Sequence, residues 1–372
     1  MRFLDLGSCE IPSSDTLSRF SSGGVLFPKL EWLRLEVHDV PVALSFFHLL
    51  PFSNLKNVIL NAYPLFYPIS PDQLTTLVRV VSFLPTSLEV LSITCYREKG
   101  DNLKNLKDAI SSFACRCEPS LMSFGTSLPL SEAAIHHLIQ LPNLSSWGVV
   151  QRPPHVVSTP VFPPLEELYL GDPGTLPWLH LLASRGSAES QTKLIRETLR
   201  CLHCPWRTII DSALLSSILN FRNLAVLCIQ AHCSELMGCD FRLTDDDMKN
   251  LASTLSRLQS LELGRPCLRD SCKTTVASLV SISTHCLDLT VLEVHFNTKT
   301  IVSDMQRLLE GGAGLDEAKC KLQSLYVGLS PLDISKEDIE TVAMGLRIIF
   351  PHITGLWGSN RHWDRVILKL GV

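Results

Sequence analysis

Cys201-Leu-His-Cys204 comes closest in residue types to a metal knuckle, with His232, Cys233 and Cys239 downstream. A tetrahedral zinc site needs four converging ligands, and no second C-x-x-C pair follows. Leu202 and Cys204 also fall on a hydrophobic phrase, which gives Cys204 a place in a core. No metal is expected here, nor at Cys115-Arg-Cys117, which reads as a helix end. His136-His137 has the composition of a proton relay, but adjacent helical positions face apart. Asp245, Asp246 and Asp247 are better explained as charge compensation at a helix N-terminus than as metal ligands. Gly311-Gly-Ala-Gly314 follows a helix, whereas a phosphate cradle needs strand-then-helix order. There is no G-x-S-x-G and no P-loop. The reading is therefore of a chain with no catalytic residue, no cofactor and no metal site, and not of an enzyme.

Composition narrows the remaining classes. The 372 residues are 45% hydrophobic and 19% charged, enough to bury a core. A net charge of -4 carries no nucleic-acid footprint. The apolar stretches, such as 41–52, are too short to span a bilayer, and no basic run is long enough to hold an anionic membrane. The 13 cysteines are odd in number and irregular in spacing. Met1-Arg-Phe-Leu-Asp-Leu-Gly lacks the apolar core of a signal peptide. Reduced, buried thiols in the cytoplasm or nucleus are expected.

One short phrase organises the chain. Its cleanest copy is Leu258-Gln-Ser-Leu261-Glu-Leu263. The second half has the period of a strand with one buried face, too short to bury that face without a like neighbour. Copies stand at Met1/Leu4/Leu6, Leu30/Leu33/Leu35, Leu55/Val58/Leu60, Leu88/Leu91/Ile93, Leu121/Phe124 and Leu144/Trp147/Val149. They continue at Leu165/Leu168/Leu170, Leu199/Leu202/Cys204, Leu224/Leu227/Ile229, Leu258/Leu261/Leu263, Leu289/Leu292/Val294 and Leu322/Leu325/Val327. Ile353/Leu356 closes the series. Thirteen copies spaced 21 to 34 residues apart are not an accident of a Leu-rich chain.

Helices are predicted between the phrases. Thr244 can cap a helix carrying Met248, Leu251 and Leu255 on one stripe. Ser335 and Asp338 resemble a capping box. Similar segments run over 72–84, 131–141, 211–219 and 303–309. Residues 13–24, 151–164 and 183–193 are the least regular, and the last is read as an exposed loop. Pro28, Pro85, Pro119, Pro142, Pro164 and Pro351 stand just before phrases, where proline ends a helix. The repeated order of helix, proline and strand predicts parallel strands with right-handed crossovers. The fold class is therefore α/β, a single irregular solenoid over residues 1–372 with about thirteen repeats.

In each phrase the leucines face the core, and the residue between the last two faces outward. That column reads Asp5, Arg34, Ile59, Ser92, Gly125, Gly148, Tyr169, His203, Cys228, Glu262, Glu293, Tyr326 and Trp357. Flanking outward positions add Trp32, Glu36, Glu167 and His295. The mixture of charges and aromatics suits a recognition surface, although few residues of such a face carry binding energy. The candidates for partner binding are Trp32, Arg34, Glu36, Glu167, Tyr169, His203, Glu262, Glu293, His295, Tyr326 and Trp357.

Pro28-Lys-Leu-Glu-Trp-Leu-Arg-Leu35, Pro164-Leu-Glu-Glu-Leu-Tyr-Leu170 and Leu258-Gln-Ser-Leu-Glu-Leu263 resemble leucine-rich repeats. More narrowly, they are similar to the irregular repeat domain of F-box proteins from mushroom-forming fungi, as is the ending His362-Trp-Asp-Arg-Val366. The resemblance implies a leucine-rich-repeat horseshoe with parallel strands on its concave side and helices on its convex side. It also implies a substrate receptor of a ubiquitin ligase that binds an unknown protein. Two departures stand out. The usual repeat continues to a buried Asn or Cys, which Cys9 supplies and most copies do not, so uneven turns are expected. No F-box precedes the first phrase, so a Skp-type adaptor is expected as a partner only if an F-box lies upstream of Met1. The alternatives are a free-standing repeat scaffold without a ubiquitin role and, from another class, an enzyme.

Overall fold

A phrase that buries two side chains per strand needs a parallel neighbour, and the structure supplies it. The computed structural model describes residues 2–6, 27–37, 52–62, 71–95, 103–153, 162–183, 189–204, 209–229, 241–264, 272–311, 320–328, 332, 334–358 and 361–371. These gather into two compact units: Met1–Thr175 with Gly186–Gln191, and Leu176–Arg185 with Thr192–Val372. The first holds β1 (Phe3–Leu6), β2 (Trp32–Val37), β3 (Asn57–Ala62), α1 (Pro71–Phe83), β4 (Val90–Cys95), α2 (Lys104–Ala114), β5 (Ser123–Thr126), α3 (Glu132–Leu138), β6 (Ser146–Val149) and β7 (Glu167–Leu170). The second begins with α4 (Pro177–Ala183); α5 (Glu189–Thr198), which belongs to this unit from Thr192 on, then leads to β8 (Cys201–Cys204). It continues with α6 (Ser212–Ile218), β9 (Val226–Ile229), α7 (Asp245–Thr254), β10 (Ser260–Leu263), α8 (Val276–His285) and β11 (Val291–Glu293). It ends with α9 (Ile301–Gly311), β12 (Ser324–Gly328), α10 (Asp338–Ile349), β13 (Gly355–Gly358) and α11 (Arg361–Leu370).

Every phrase lands on one of these strands. In the first unit β1 to β7 pair in chain order, all parallel. In the second, β8 to β13 do the same. Burial alternates along the strands, as in β4, β8 and β10. Leu33, Leu35, Leu261 and Leu263 are fully buried. Each such leucine contributes roughly 1.5–3 kcal/mol on burial. Sequential helices lie against each other, α1 on α2 and α2 on α3 in the first unit, α7 on α8 and α9 to α11 in series in the second. Their apolar stripes, such as Leu106, Ile110 and Phe113 of α2, close the core. The short β5 and β6, from the weakest phrases, compensate with bulk, and Phe124 and Trp147 are buried where other strands place leucine.

Neighbouring repeats are stitched by one recurring bond. The carbonyl just after the first leucine accepts two successive N–H groups from the next repeat. Lys56 and Asn57 donate to Glu31, Glu89 and Val90 to Lys56, Met122 and Ser123 to Glu89, and Ser145 and Ser146 to Met122. In the second unit Gln259 and Ser260 donate to Ala225, Thr290 and Val291 to Gln259, and Gln323 and Ser324 to Thr290.

Side chains add a second set of inter-repeat bonds where the sequence reading expected uneven turns. Asn54, Asn143 and Asn223 each stand immediately before a phrase. Their amides donate to the carbonyls of Pro28 (2.8 Å), Pro119 (2.7 Å) and Glu197 (2.6 Å). These three asparagines therefore do their work ahead of the strand, whereas Asn297, after β11, accepts from the Lys299 N–H at 2.9 Å. Cys9, the residue that fits the usual position, lies outside the described residues.

The helix signals held at Thr244, whose hydroxyl and Asp247 form a reciprocal capping box. Asp211 caps α6 and Ser131 caps α3. Ser335 accepts from the Asp338 N–H at 3.2 Å, one turn ahead of α10. Asp245 has a further role. Its carboxylate accepts from the Thr275 N–H (2.7 Å), the Thr275 hydroxyl (2.7 Å) and the Ser278 hydroxyl (2.5 Å). One repeat thus caps the helix of the next. Two expectations change in detail. The segment read as a loop to residue 193 turns helical at Glu189, and the helix expected over 303–309 runs over Ile301–Gly311.

Two substitution pairs test this construction. Leu261→Asp places a charge in the core and should abolish a cooperative thermal melt of the second unit, whereas Glu262→Ala should change stability by no more than about 0.5 kcal/mol. Equal behaviour of the two would refute the assignment of faces. Asp245→Ala should cost about 2 kcal/mol in chemical denaturation, from three lost charge-assisted bonds, and Asp246→Ala, which is exposed in the same turn, only about 0.5 kcal/mol.

Candidate partner-recognition face

Alternation puts every second strand residue on the face away from the buried leucines. The ladder register then decides which of these become neighbours. In the first unit Asp5, Arg34, Ile59, Ser92, Gly125, Gly148 and Tyr169 are successive ladder partners. In the second, His203, Cys228, Glu262, Glu293, Tyr326 and Trp357 form the equivalent rank. The outward column read from the sequence is therefore a physical row within each unit. A second rank lies two residues earlier, with Phe3, Trp32 and Asn57 at one end and Glu167 at the other end of the first unit.

The ranks are uneven in relief. Phe3 and Trp32 stack at 3.9 Å between ring centroids, with Phe3 half exposed. At β5 and β6 the rank drops to Gly125 and Gly148, and a Cβ on Gly148 would come within 3.2 Å of the Gly125 backbone. The result is a shallow groove of about 390 Å³, lined by Ser92, Ser123, Ser146 and Tyr169 among others. The Tyr169 hydroxyl donates to Glu167 at 3.5 Å. In the second unit Glu262 accepts from the Cys228 thiol and the Ser260 hydroxyl, both at 3.4 Å. Tyr326 and Trp357 stack at 4.4 Å and remain 36% and 45% exposed.

Most candidates from the sequence stand on this face. Trp32, Arg34, Glu167, His203, Glu262 and Glu293 are half-buried there, and Tyr169, Tyr326 and Trp357 are exposed. Glu36 pairs with Asn61 in the ladder, but its side chain lies outside the described residues. His295 is a correction. It is 3% exposed, and its ring packs 6.1 Å from Phe241. Its carbonyl accepts from the Thr274 hydroxyl at 2.5 Å and from the Cys272 thiol at 3.4 Å. The reason is local: β11 stops at Glu293, alternation ends there, and Val294, His295 and Phe296 are all buried. Phe3, absent from the sequence-based candidates, belongs with them; its place two residues before Asp5 was the available signal.

The groups considered for chemistry go elsewhere. Cys201 and His203 point outward while Cys204 faces the core, so the C-x-x-C thiols stand on opposite sides of β8. His232, Cys233 and Cys239 lie outside the described residues. His137 Nε2 lies 3.0 Å from the Cys117 carbonyl. Gly311 ends α9. Burial pushes the Cys117 thiol up to about 11 and Cys286 up to about 12, and raises Cys204 and Cys320 as well. A thiol held protonated is a poor nucleophile. Three of these thiols serve as weak donors to helix-end carbonyls: Cys117 to Ala114 (3.0 Å), Cys286 to Ala252 (3.6 Å) and Cys320 to Cys286 (3.3 Å). None of the described helices is long and apolar enough to cross a membrane.

Thiol labelling checks this assignment. Under native conditions an aromatic disulfide reagent should modify exposed Cys115 within minutes, while Cys286 and Cys320 should react only after denaturant is added, as read by peptide mapping. Fast native labelling of Cys286 would contradict its place in the core.

No protein-family model matches the chain, and no curated protein matches it.

Proposed function

We propose that the outward strand face recognises a protein partner. The observation that carries this is the exposed aromatic content of the face: Phe3, Tyr169, Tyr326 and Trp357 stand on it partly bare, beside charged residues held in ladder register. Rigid aromatic side chains lose little entropy on docking and supply large contact areas, which is why they dominate binding energy at interfaces. Within each unit the rank runs across adjacent strands, as contact with an extended or folded protein surface requires. We read the architecture as a leucine-rich-repeat horseshoe with this face concave. Its resemblance to fungal F-box repeat domains supports a sharper role, the substrate-binding part of a ubiquitin ligase receptor.

The face reading is tested by comparing partners of the full chain with those of variants, using quantitative affinity capture from the source cells. Trp32→Ala, Tyr169→Ala, Tyr326→Ala and Trp357→Ala should each reduce a common set of partners at least about tenfold. Met344→Ala and Leu368→Ala, exposed on α10 and α11, should leave that set unchanged. The opposite pattern would refute the reading. The receptor role has its own readout. Mapping the 5′ end of the transcript should bring an F-box into frame ahead of Met1, and partner ubiquitylation should fall when the gene is deleted. Partners without either result identify a free-standing scaffold.

A further inference from the structure

We infer that the groove over β4 to β7 seats one aromatic side chain with a polar edge, tryptophan or tyrosine, carried by the protein partner. The inference rests on the outward face being a recognition surface and names what that face recognises in the first unit.

The floor of the groove is glycine where the fold does not require it. A Cβ on Gly148 would come within 3.2 Å of the Gly125 backbone, so Gly148 answers to a close approach between strands. Gly125 does not. A Cβ there would meet nothing nearer than the Ser92 hydroxyl oxygen, at an ordinary 3.6 Å, and its φ is not positive. Glycine inside a strand weakens it, through backbone entropy and the missing side chain. At position 125 no packing gain offsets that weakening. Its effect is an open floor of backbone beside Gly148, its ladder partner.

The lining selects the occupant. Every outward position of β4, β5 and β6 is uncharged. Along the glycine rank of the first unit the nearest charged residue is Arg34, three strands from Gly125 and so roughly 14 Å away. Glu167 borders the groove beside Ser146, and its carboxylate takes the Tyr169 hydroxyl. A charged group entering here would shed water without a fresh counterion, which is costly. Among the described residues the hydroxyls of Ser92, Ser123 and Ser146 have no hydrogen-bond partner, and all three line the groove. Each can donate and accept. They suit an indole N–H or a phenol O–H, which needs a partner once buried. An aliphatic side chain would cover the same hydroxyls and leave them unpaired. A flat ring also matches a floor of peptide planes and Cα–H groups, which make weak contacts with a π face. The groove is shallow, whereas a small-molecule site buries roughly 70–90% of its ligand. A side chain presented by a protein surface brings its own cover.

The test uses the full chain with its glycines labelled by nitrogen-15, the Gly125 amide resonance being assigned by its loss in Gly125→Ala. The probes are dye-labelled pentapeptide pools with tryptophan, tyrosine, phenylalanine, leucine, lysine or glutamate fixed at the centre and the flanking positions randomised. Tryptophan and tyrosine pools should shift the Gly125 resonance saturably. By fluorescence anisotropy the phenylalanine pool should bind roughly fivefold more weakly, for want of the hydrogen bond, and the other pools at least about tenfold more weakly. Gly125→Val fills the groove from its floor. It should weaken the tryptophan and tyrosine pools at least about tenfold and leave the melting temperature no lower, because valine favours a strand where glycine does not. Gly125→Ala, whose methyl meets only ordinary contacts, should show the same loss in smaller degree. No shift with the two pools, equal binding by an aliphatic or charged pool, or undiminished binding to both Gly125 variants overturns the inference. If the aromatic pools fail while Tyr326→Ala and Trp357→Ala still lose partners in affinity capture, the recognition face stands and only the chemistry assigned to the groove falls. If both fail, the face itself is wrong.

Discussion

One backbone carbonyl per repeat, shared by two N–H groups of the next, is the constraint on which the rest of the structure depends. It sits at the same place in every join described, from Arg2 accepting Glu31 and Trp32 to Gln323 accepting Thr354 and Gly355. It fixes where one strand starts relative to the last, and so fixes which side chains stand side by side. The helices need only bridge from strand to strand. That is why successive phrases can be separated by as few as 21 or as many as 34 residues while the register stays constant. Helix length is free to vary because it carries no information about alignment.

A strand phrase was legible because its two requirements, a period of two and two buried apolar residues, are both local. Even the weak copy Leu121/Phe124 could be trusted once its neighbours were known. The outward rank was legible for the same reason. Residues that depend on where a strand stops were not. His295 lies two positions beyond Glu293 and would point outward only if β11 continued. Several helices were also missed. α8 carries apolar residues such as Val276, Leu279, Val280 and Ile282 on more than one side, which blurs a stripe, and α4 has only seven residues. The bonds made by Asn54, Asn143 and Asn223 were hidden because an amide's partner one repeat away leaves no trace in the local pattern. Asp245 was correctly placed at a helix start, but nothing around it announces that it serves the following helix.

The thiols show how a residue's chemistry is decided by its address. Cys286 and Cys320 stand one repeat apart, Cys286 as the C-cap of α8, and each donates to carbonyls of the repeat before. Their burial makes ionisation costly, so the same environment that gives them a structural partner removes their reactivity. Cys115, two residues from buried Cys117, is exposed. The open face works in the reverse sense: its alternating partners contribute little to the core, so their identities are free to serve binding.

The joins also have a direction. In each described join of the shared-carbonyl kind, the acceptor belongs to the earlier repeat and the donors to the later one. Asp245 likewise reaches forward from one repeat to cap the helix of the next, and the thiols of Cys286 and Cys320 reach back to carbonyls already laid down. On a ribosome the earlier repeat emerges first. In each described join a newly made strand therefore meets an acceptor carbonyl already in place, so each repeat can serve as the template for its successor.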